Sequence, residues 1–166
     1  MKKSLLAAIL MLVSVITFAQ QASTLPRVNV KSLNGTIVTT DSISNGDKPM
    51  IVSFWATWCK PCVNELNAIS EVYTEWQEKT GVKVVAISID DARTMNSVKP
   101  FVNGKAWPYE VYIDANSDFK RALNITNVPF TLILNGKREI IHQHTSYVPG
   151  DELKLLEEVI KLSAKE

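Results

Sequence analysis

The hydrophobic positions of this chain fall into two kinds of pattern. Residues Met50–Trp55 and 82–89 are nearly continuous apolar runs, which are typical of strands buried on both faces. Between them, over residues 62–76, apolar side chains recur every three or four positions, which predicts an amphipathic helix with one buried face. Gly81 stands where this helix is expected to end. Strands that alternate with helices, closed by a hairpin near the end of the chain, predict an α/β fold in which helices cover a mixed sheet.

Shorter segments complete the predicted sheet and its covering helices. Asn34-Gly35 and Asn135-Gly136 are dipeptides typical of two-residue hairpin turns, so each predicts a pair of antiparallel strands. The other predicted elements, in chain order, are strands 28–33 and 36–39, helix 94–103, strand 109–113, a helix from 116 or 117 to 123, strands Phe130–Leu134 and 138–144, and helix Asp151–Ser163. The apolar spacing of the last helix places four residues inward: Leu153, Leu156, Val159 and Ile160.

Length and composition fit one folded domain. A chain of 166 residues is long enough for one domain, and a hydrophobic content of 46% supports a core that needs no disulfide to fold. The formal net charge of +1 argues against a nucleic-acid-binding surface, so we expect no nucleic-acid partner.

Residues 1–19 have the pattern of a secretory signal peptide. Lys2 and Lys3 give a basic start, and residues 5–16 form an apolar segment that is too short to span a bilayer as a mature helix. We therefore expect a signal peptide at 1–19 and one domain at 20–166, with an uncleaved membrane anchor as the alternative. Export places the chain in an oxidising compartment, and the expected location is a bacterial periplasm.

The only two cysteines, Cys59 and Cys62, lie where the predicted central strand gives way to the helix. A helix N-terminus offers unpaired N–H groups and a partial positive charge, and both favour a thiolate over a thiol. In such settings the pKa of a cysteine falls from about 8.5 to roughly 3.5–7.5. We therefore expect Cys59 to be the exposed attacking sulfur, helped by the cation of Lys60, and Cys62 to be the resolving one. Pro61 fits the first helical turn, where its missing N–H costs nothing.

Two other interpretations of the cysteine pair remain open at this point. A structural disulfide across two residues closes almost no loop and adds little stability. Half of a zinc site needs further ligands, and the chain has no second cysteine pair. A redox-active dithiol between a strand and an amphipathic helix is the favoured interpretation.

The segment Trp-Ala-Thr-Trp-Cys-Lys-Pro-Cys at 55–62 resembles the active site of the thioredoxin superfamily, above all its exported TlpA/ResA-like branch of thiol–disulfide oxidoreductases. The resemblance covers most of the chain after the signal segment and includes Asn-Val-Pro-Phe-Thr at 127–131. It implies a thioredoxin-like fold, with a mixed central sheet flanked by helices and an N-terminal β-hairpin extension. It also implies that Pro129 is cis and lies against the cysteines, which leaves the backbone of Val128 free to pair with an extended substrate.

The resemblance also implies roles for residues around the cysteines. ResA-like proteins carry an acid three residues after the second cysteine, so Glu65 is expected to take the proton of Cys62 or to tune both sulfurs; a plain surface glutamate is the alternative. Trp58 is expected to pack beside the site and limit access, with core filling as its alternative. The buried aspartate of thioredoxin's central strand corresponds to Ser53 here and its lysine partner to Ala86, so proton handling must differ from thioredoxin's.

Residues and resemblance together predict a secreted thiol–disulfide oxidoreductase that uses no metal, nucleotide or flavin. The resemblance favours the reducing direction, with a membrane-embedded thiol reductant as the electron donor. Disulfides of exported proteins are the expected substrates, and apocytochrome c before haem attachment is one that such families use. The expected oligomeric state is a monomer.

Two rival functions belong to other classes. Copper chaperones of the Sco type combine a thioredoxin fold with two cysteines and a distant histidine. His142 or His144 could be that histidine. The cysteines of those chaperones are separated by three residues, however, whereas Cys59 and Cys62 are separated by two. A peroxidase of the wider redoxin group carries threonine three residues before its cysteine, whereas Thr57 is two residues before Cys59.

Overall fold

The computed structural model describes residues 23–164, so the predicted signal peptide lies outside the described residues. The fold is built on one sheet of seven strands. In chain order the strands are β1 (Asn29–Ser32), β2 (Ile37–Thr39), β3 (Met50–Trp55), β4 (Lys83–Ser88), β5 (Glu110–Ile113), β6 (Phe130–Leu134) and β7 (Ile140–Thr145). The helices are α1 (Lys60–Thr80), α2 (Val98–Lys105), α3 (Asp118–Ala122) and α4 (Asp151–Ser163).

The sheet is mixed, as predicted, and its strand order is β2-β1-β5-β4-β3-β6-β7. Strands β3, β4 and β5 are parallel to one another. On one side of them β6 pairs antiparallel with β3, and β7 pairs antiparallel with β6. The hairpin β1–β2 adds to the other side by antiparallel pairing of β1 with β5. This is the predicted thioredoxin-like arrangement with an N-terminal hairpin extension.

The central strand β3 is buried along its whole length, and its two faces meet different surroundings. Phe54 packs edge-on against Phe119 of α3, with ring centroids 5.0 Å apart. Ser53, on the opposite face, lies against α1, where its hydroxyl contacts Glu65. One face of β3 therefore supplies apolar core, and the other carries a polar group beneath the cysteine helix.

Helix α1 follows the predicted pattern closely. It begins directly after Cys59, and it ends at Gly81, whose left-handed φ of 66° is the conformation that glycine adopts most readily at a helix C-terminus. Its buried face includes four of the predicted apolar residues, Leu66, Ile69, Tyr73 and Trp76. Of the helices within residues 23–164, none combines the length and apolar content needed to cross a lipid bilayer.

Two predictions about shorter elements need correction. Neither hairpin turns on two residues. In the first, the N–H of Ser32 donates to the carbonyl of Thr36, which leaves three residues in the loop. In the second, Leu134 pairs with Ile140, and the turn between them is closed by hydrogen bonds of Asn135. Its side-chain oxygen accepts the N–H groups of Lys137 and Glu139, so an asparagine-centred loop replaces the tight turn. The predicted helix 94–103 is a short 3-10 turn followed by α2, and the proline that it contains lies in the first turn of α2, where no N–H is needed.

The inward face of α4 is also different from the predicted one. Leu155 and Val159 are buried, and Leu156 is half-buried, whereas Leu153 and Ile160 are 55% and 43% exposed. Apolar residues occur on both sides of this helix, so the sequence pattern supports two rotations about the axis. Packing of α4 against α1 and β6 buries the 155/159 stripe and selects one of them.

Candidate active site

Cys59 and Cys62 form a disulfide at the start of α1, with their Cα atoms 5.3 Å apart. Cys59 is the N-cap residue, and its sulfur accepts the backbone N–H of Cys62 at 3.4 Å. Pro61 lies in the first turn, as predicted. The sulfur of Cys59 therefore lies at the N-terminus of α1, and the unpaired N–H groups of the first helical turn point toward it.

The predicted exposure of Cys59 is wrong in degree. The residue is only 6% exposed, although Cys62 is fully buried at 0%, so Cys59 is still the more accessible of the two.

The turn between β3 and Cys59 presents Trp58 to solvent. The N–H of Cys59 donates to the carbonyl of Ala56 at 3.0 Å, which closes the turn, and Trp58 at its tip is 63% exposed. Core filling, the alternative interpretation of Trp58, is excluded by this exposure. A large apolar ring next to the first cysteine offers a contact surface for another protein.

The loop before β6 lies at the same end of the sheet. Because β6 runs antiparallel to β3 with Phe130 opposite Phe54, the residues before β6 lie beside the turn that follows β3. The Val128–Pro129 peptide bond is cis, as the resemblance implied. Within residues 23–164 the backbone of half-buried Val128 makes no hydrogen bond, so its N–H and C=O remain free for an added strand.

Glu65 is fully buried below the cysteines, on the third residue after Cys62 along α1. Ser53 donates its hydroxyl to Glu65 Oε2 at 3.2 Å, and Thr131 donates to Oε1 at 3.1 Å. Burial raises the pKa of Glu65 from 4.5 to about 7, and these two hydroxyl bonds only partly oppose the rise. The alternative of a plain surface glutamate is therefore excluded.

Ser53, Ala86 and Thr131 are neighbours across three strands, since Ser53 pairs with Ala86 of β4 and with Thr131 of β6. The chain thus lacks an acid on the central strand but receives one from α1 at the same level. The buried carboxyl at this level is therefore that of Glu65, contributed by α1 rather than by the central strand. Sequence reasoning missed Thr131 as its partner, although a polar residue inside an apolar strand was a signal for one.

Asp90 is a second buried carboxyl that sequence reasoning missed, because an acid directly after a strand is typical of a turn or a helix cap. It is 0% exposed, and its carboxylate accepts both the N–H and the hydroxyl of Thr57. The Thr57 hydroxyl is therefore directed at Asp90, two residues before Cys59.

The two histidines lie on β7, which β6 separates from the cysteine strand. Both are half-buried, and His144 Nε2 lies 3.5 Å from a carboxylate oxygen of Asp151. Among the described residues, no group of three or more His, Cys, Asp or Glu side chains could together hold a metal ion.

Fold and site together define a redox protein of the thioredoxin-like class. A family model described as AhpC/TSA family matches residues 22–149, and the chain belongs to that family.

Relatives and solved structures agree with this assignment. Thiol-disulfide oxidoreductase ResA of Bacillus thuringiensis subsp. konkukian is 30% identical over 115 residues, which cover 69% of this chain and 62% of that protein. Sporulation thiol-disulfide oxidoreductase A of Bacillus subtilis is 27% identical over 158 residues, or 92% of this chain and 95% of that one. A thioredoxin-like protein from Porphyromonas gingivalis superposes with a TM-score of 0.76 at 45% identity, covering 85% of this chain and 92% of the other. The chain therefore matches less than two thirds of the ResA length.

Proposed function

We propose that this protein is an exported thiol–disulfide oxidoreductase that reduces disulfides in other exported proteins. The observation that carries the proposal is the disulfide-bonded pair at the start of α1, with Cys59 as its N-cap. The names of the ResA and sporulation relatives support the reaction class. The signal-like pattern of residues 1–19 supports export, and a membrane anchor is the alternative.

The first step is attack by the reduced Cys59 thiolate on one sulfur of a partner disulfide. The partner's sulfur–sulfur bond breaks, a bond from Cys59 to the partner forms, and the partner's other sulfur leaves as a thiolate that takes up a proton. The free N–H and C=O of Val128 pair with the partner's backbone as an added strand, beside Pro129. This pairing holds the partner disulfide over the cysteine.

The second step releases the reduced partner. Cys62 loses its proton to the carboxylate of Glu65, whose pKa of about 7 suits a base that works near neutral pH. The Cys62 thiolate then attacks Cys59, the mixed disulfide breaks, and the partner's second sulfur leaves and is protonated. Two electrons have passed to the partner, and the chain is left with the Cys59–Cys62 disulfide.

Each cycle requires a reductant that restores the dithiol. In an oxidising compartment the donor must carry electrons across the membrane, so we propose a membrane-embedded thiol reductant as the physiological donor. Neither step routes electrons through a metal, nucleotide or flavin, since the cysteine pair itself carries them.

The reduction potential of the Cys59–Cys62 couple tests the direction of the reaction. We expect it to lie nearer to about −270 mV than to about −120 mV, because a reductant must hold its dithiol at low potential. Equilibration with glutathione measures it, and reduction of a Cys-x-x-Cys-His peptide from apocytochrome c tests the substrate class. A potential near the upper value would make the protein an oxidant and overturn the reducing direction.

Trp58→Ala is expected to weaken reduction of a protein disulfide more than reduction of a small aromatic disulfide. The exposed ring contributes contact area only to a large partner, and such tryptophans are worth on the order of tenfold in affinity. The measurement is kcat and KM on insulin and on the small disulfide, and we expect the change in KM for insulin. Ile37→Ala, which removes another exposed apolar side chain, is the control. Equal losses of kcat/KM on both substrates would show that Trp58 affects the reactivity of the cysteines rather than the contact with a protein partner.

A further inference from the structure

The carboxylate of Asp90 is buried directly beside the turn that leads to Cys59. It follows β4, which is parallel to β3, and the neighbouring N–H of Ile89 donates to the carbonyl of Trp55 at 2.8 Å. The end of β4 and the end of β3 are thereby held together. Asp90 is 0% exposed, and Thr57, which lies next to it in the turn, is half-buried.

Three donors converge on this carboxylate. Oδ2 accepts the backbone N–H of Thr57 at 2.9 Å and the hydroxyl of Ser88 at 2.8 Å, and Oδ1 accepts the hydroxyl of Thr57 at 2.6 Å. No ion pair to Asp90 is present within residues 23–164, so hydrogen bonds alone satisfy it. We call the paired bonds from Asp90 to Thr57 the Asp90–Thr57 clasp.

The clasp holds the middle of the turn, and Cys59 is at its end. Ala56 and Cys59 close the turn by their backbone bond, and Thr57 between them is fixed to Asp90 through both its N–H and its hydroxyl. Beyond the turn, the Cys59 sulfur accepts the N–H of Cys62. The position of that sulfur against the helix start therefore depends on a turn that is fixed from the neighbouring strand.

We propose that Asp90 is a positioning residue for the redox reaction, acting through Thr57 to hold Cys59 at the N-cap of α1. The inference rests on the thiol–disulfide chemistry proposed above. Without the clasp, the turn can shift, and the Cys59 thiolate loses part of the stabilisation that the helix N–H groups give it. Small displacements of a reacting group carry large kinetic costs.

An effect of charge alone has the opposite sign, which makes the two explanations separable. A nearby carboxylate disfavours a thiolate, so removal of the Asp90 charge by itself would favour the Cys59 thiolate. Loss of position disfavours the thiolate. Thr57→Val removes the hydroxyl and leaves the carboxylate, whereas Asp90→Asn keeps the shape and removes both the charge and one acceptor.

The experiment uses the reduced protein and measures the pH midpoint of Cys59 alkylation, the rate of attack on a small aromatic disulfide at pH 7, and the unfolding midpoint. For Thr57→Val and Asp90→Asn we expect a higher alkylation midpoint and attack slowed by about tenfold. Thr57→Ser retains the hydroxyl, so we expect it to have the alkylation midpoint and the rate of attack of the wild type. Asp91→Asn is the matched control, since that neighbouring acid is only partly buried and is paired with Arg93 rather than with the turn.

Two results would overturn the inference. One is a lower midpoint for Asp90→Asn with no change for Thr57→Val, which would assign the effect to charge. The other is a lower unfolding temperature with an unchanged alkylation midpoint and an unchanged rate of attack. That result would show that the Asp90–Thr57 clasp stabilises the fold only. If the variants raise the midpoint while even the wild type fails to reduce protein disulfides, the positioning role stands and the proposed function fails.

Discussion

Cys59→Ser is expected to abolish disulfide reduction, with a loss on the order of 10³-fold or more, because a serine hydroxyl cannot replace the attacking thiolate. Insulin reduction with a chemical reductant measures the loss. The variant should fold normally, since the pair closes a loop of two residues and adds little to stability.

Cys62→Ser is expected to give a different result from Cys59→Ser, and the difference distinguishes the roles of the two sulfurs. The first attack by Cys59 proceeds, but no second thiolate is available to release the partner, so a mixed disulfide accumulates. Mass spectrometry after mixing with a disulfide substrate detects it. If Cys62→Ser were inactive without trapping a partner, while Cys59→Ser trapped one, the roles given to the two cysteines would be reversed.

Glu65→Gln is expected to stabilise the fold at pH 8 while slowing the second step of the reaction. The pKa of Glu65 is raised from 4.5 to about 7 by burial, so the folded state holds a proton that the unfolded state has lost. The stability of the wild type should therefore fall as pH rises from about 4.5 to about 7, and stay level above that. The difference corresponds to about 3 kcal/mol at most.

The variant removes this pH dependence, because glutamine does not ionise. Its one side-chain oxygen, placed at the Oε2 position, lies within reach of both hydroxyls, at 3.2 Å from Ser53 and 3.3 Å from Thr131. Denaturant unfolding at pH 5, 6, 7 and 8 measures the effect. Glu75→Gln on the same helix is the matched control, since that acid is exposed. In the activity profile, the variant should lose the rise in rate near pH 7 that ionisation of Glu65 gives. Equal pH dependence of stability in the wild type and the variant would show that Glu65 does not titrate in this range.

The fold and the position of the cysteines were predictable because both depend on local patterns. The buried strand β3, the turn after it and the amphipathic helix α1 are each indicated by residues that are adjacent in the sequence. Cys59 and Cys62 lie where the turn meets the helix. The rotation of α4 was not predictable, since apolar residues on two sides of that helix satisfy the same spacing. Only contact with α1 and β6 selects the stripe that contains Leu155 and Val159.

The polar contacts around the site were less predictable, because they join residues far apart in the chain. Thr131 reaches Glu65 across a separation of 66 residues, and Asp90 reaches Thr57 across 33. Nothing local distinguishes a surface glutamate from a buried one, or a capping aspartate from one that holds a turn. The strand register brings these groups together, and the register is known only once the sheet is formed.

Alkylation of the reduced protein across a pH series tests most directly whether the start of α1 makes Cys59 the reactive thiolate. Limited labelling, with the modified cysteine identified by peptide mass, gives a separate pH profile for each sulfur. We predict that Cys59 is labelled first, with a midpoint clearly below the value of about 8.5 for an ordinary cysteine. Labelling of both cysteines together with a midpoint near that ordinary value, or labelling of Cys62 first, would contradict the account.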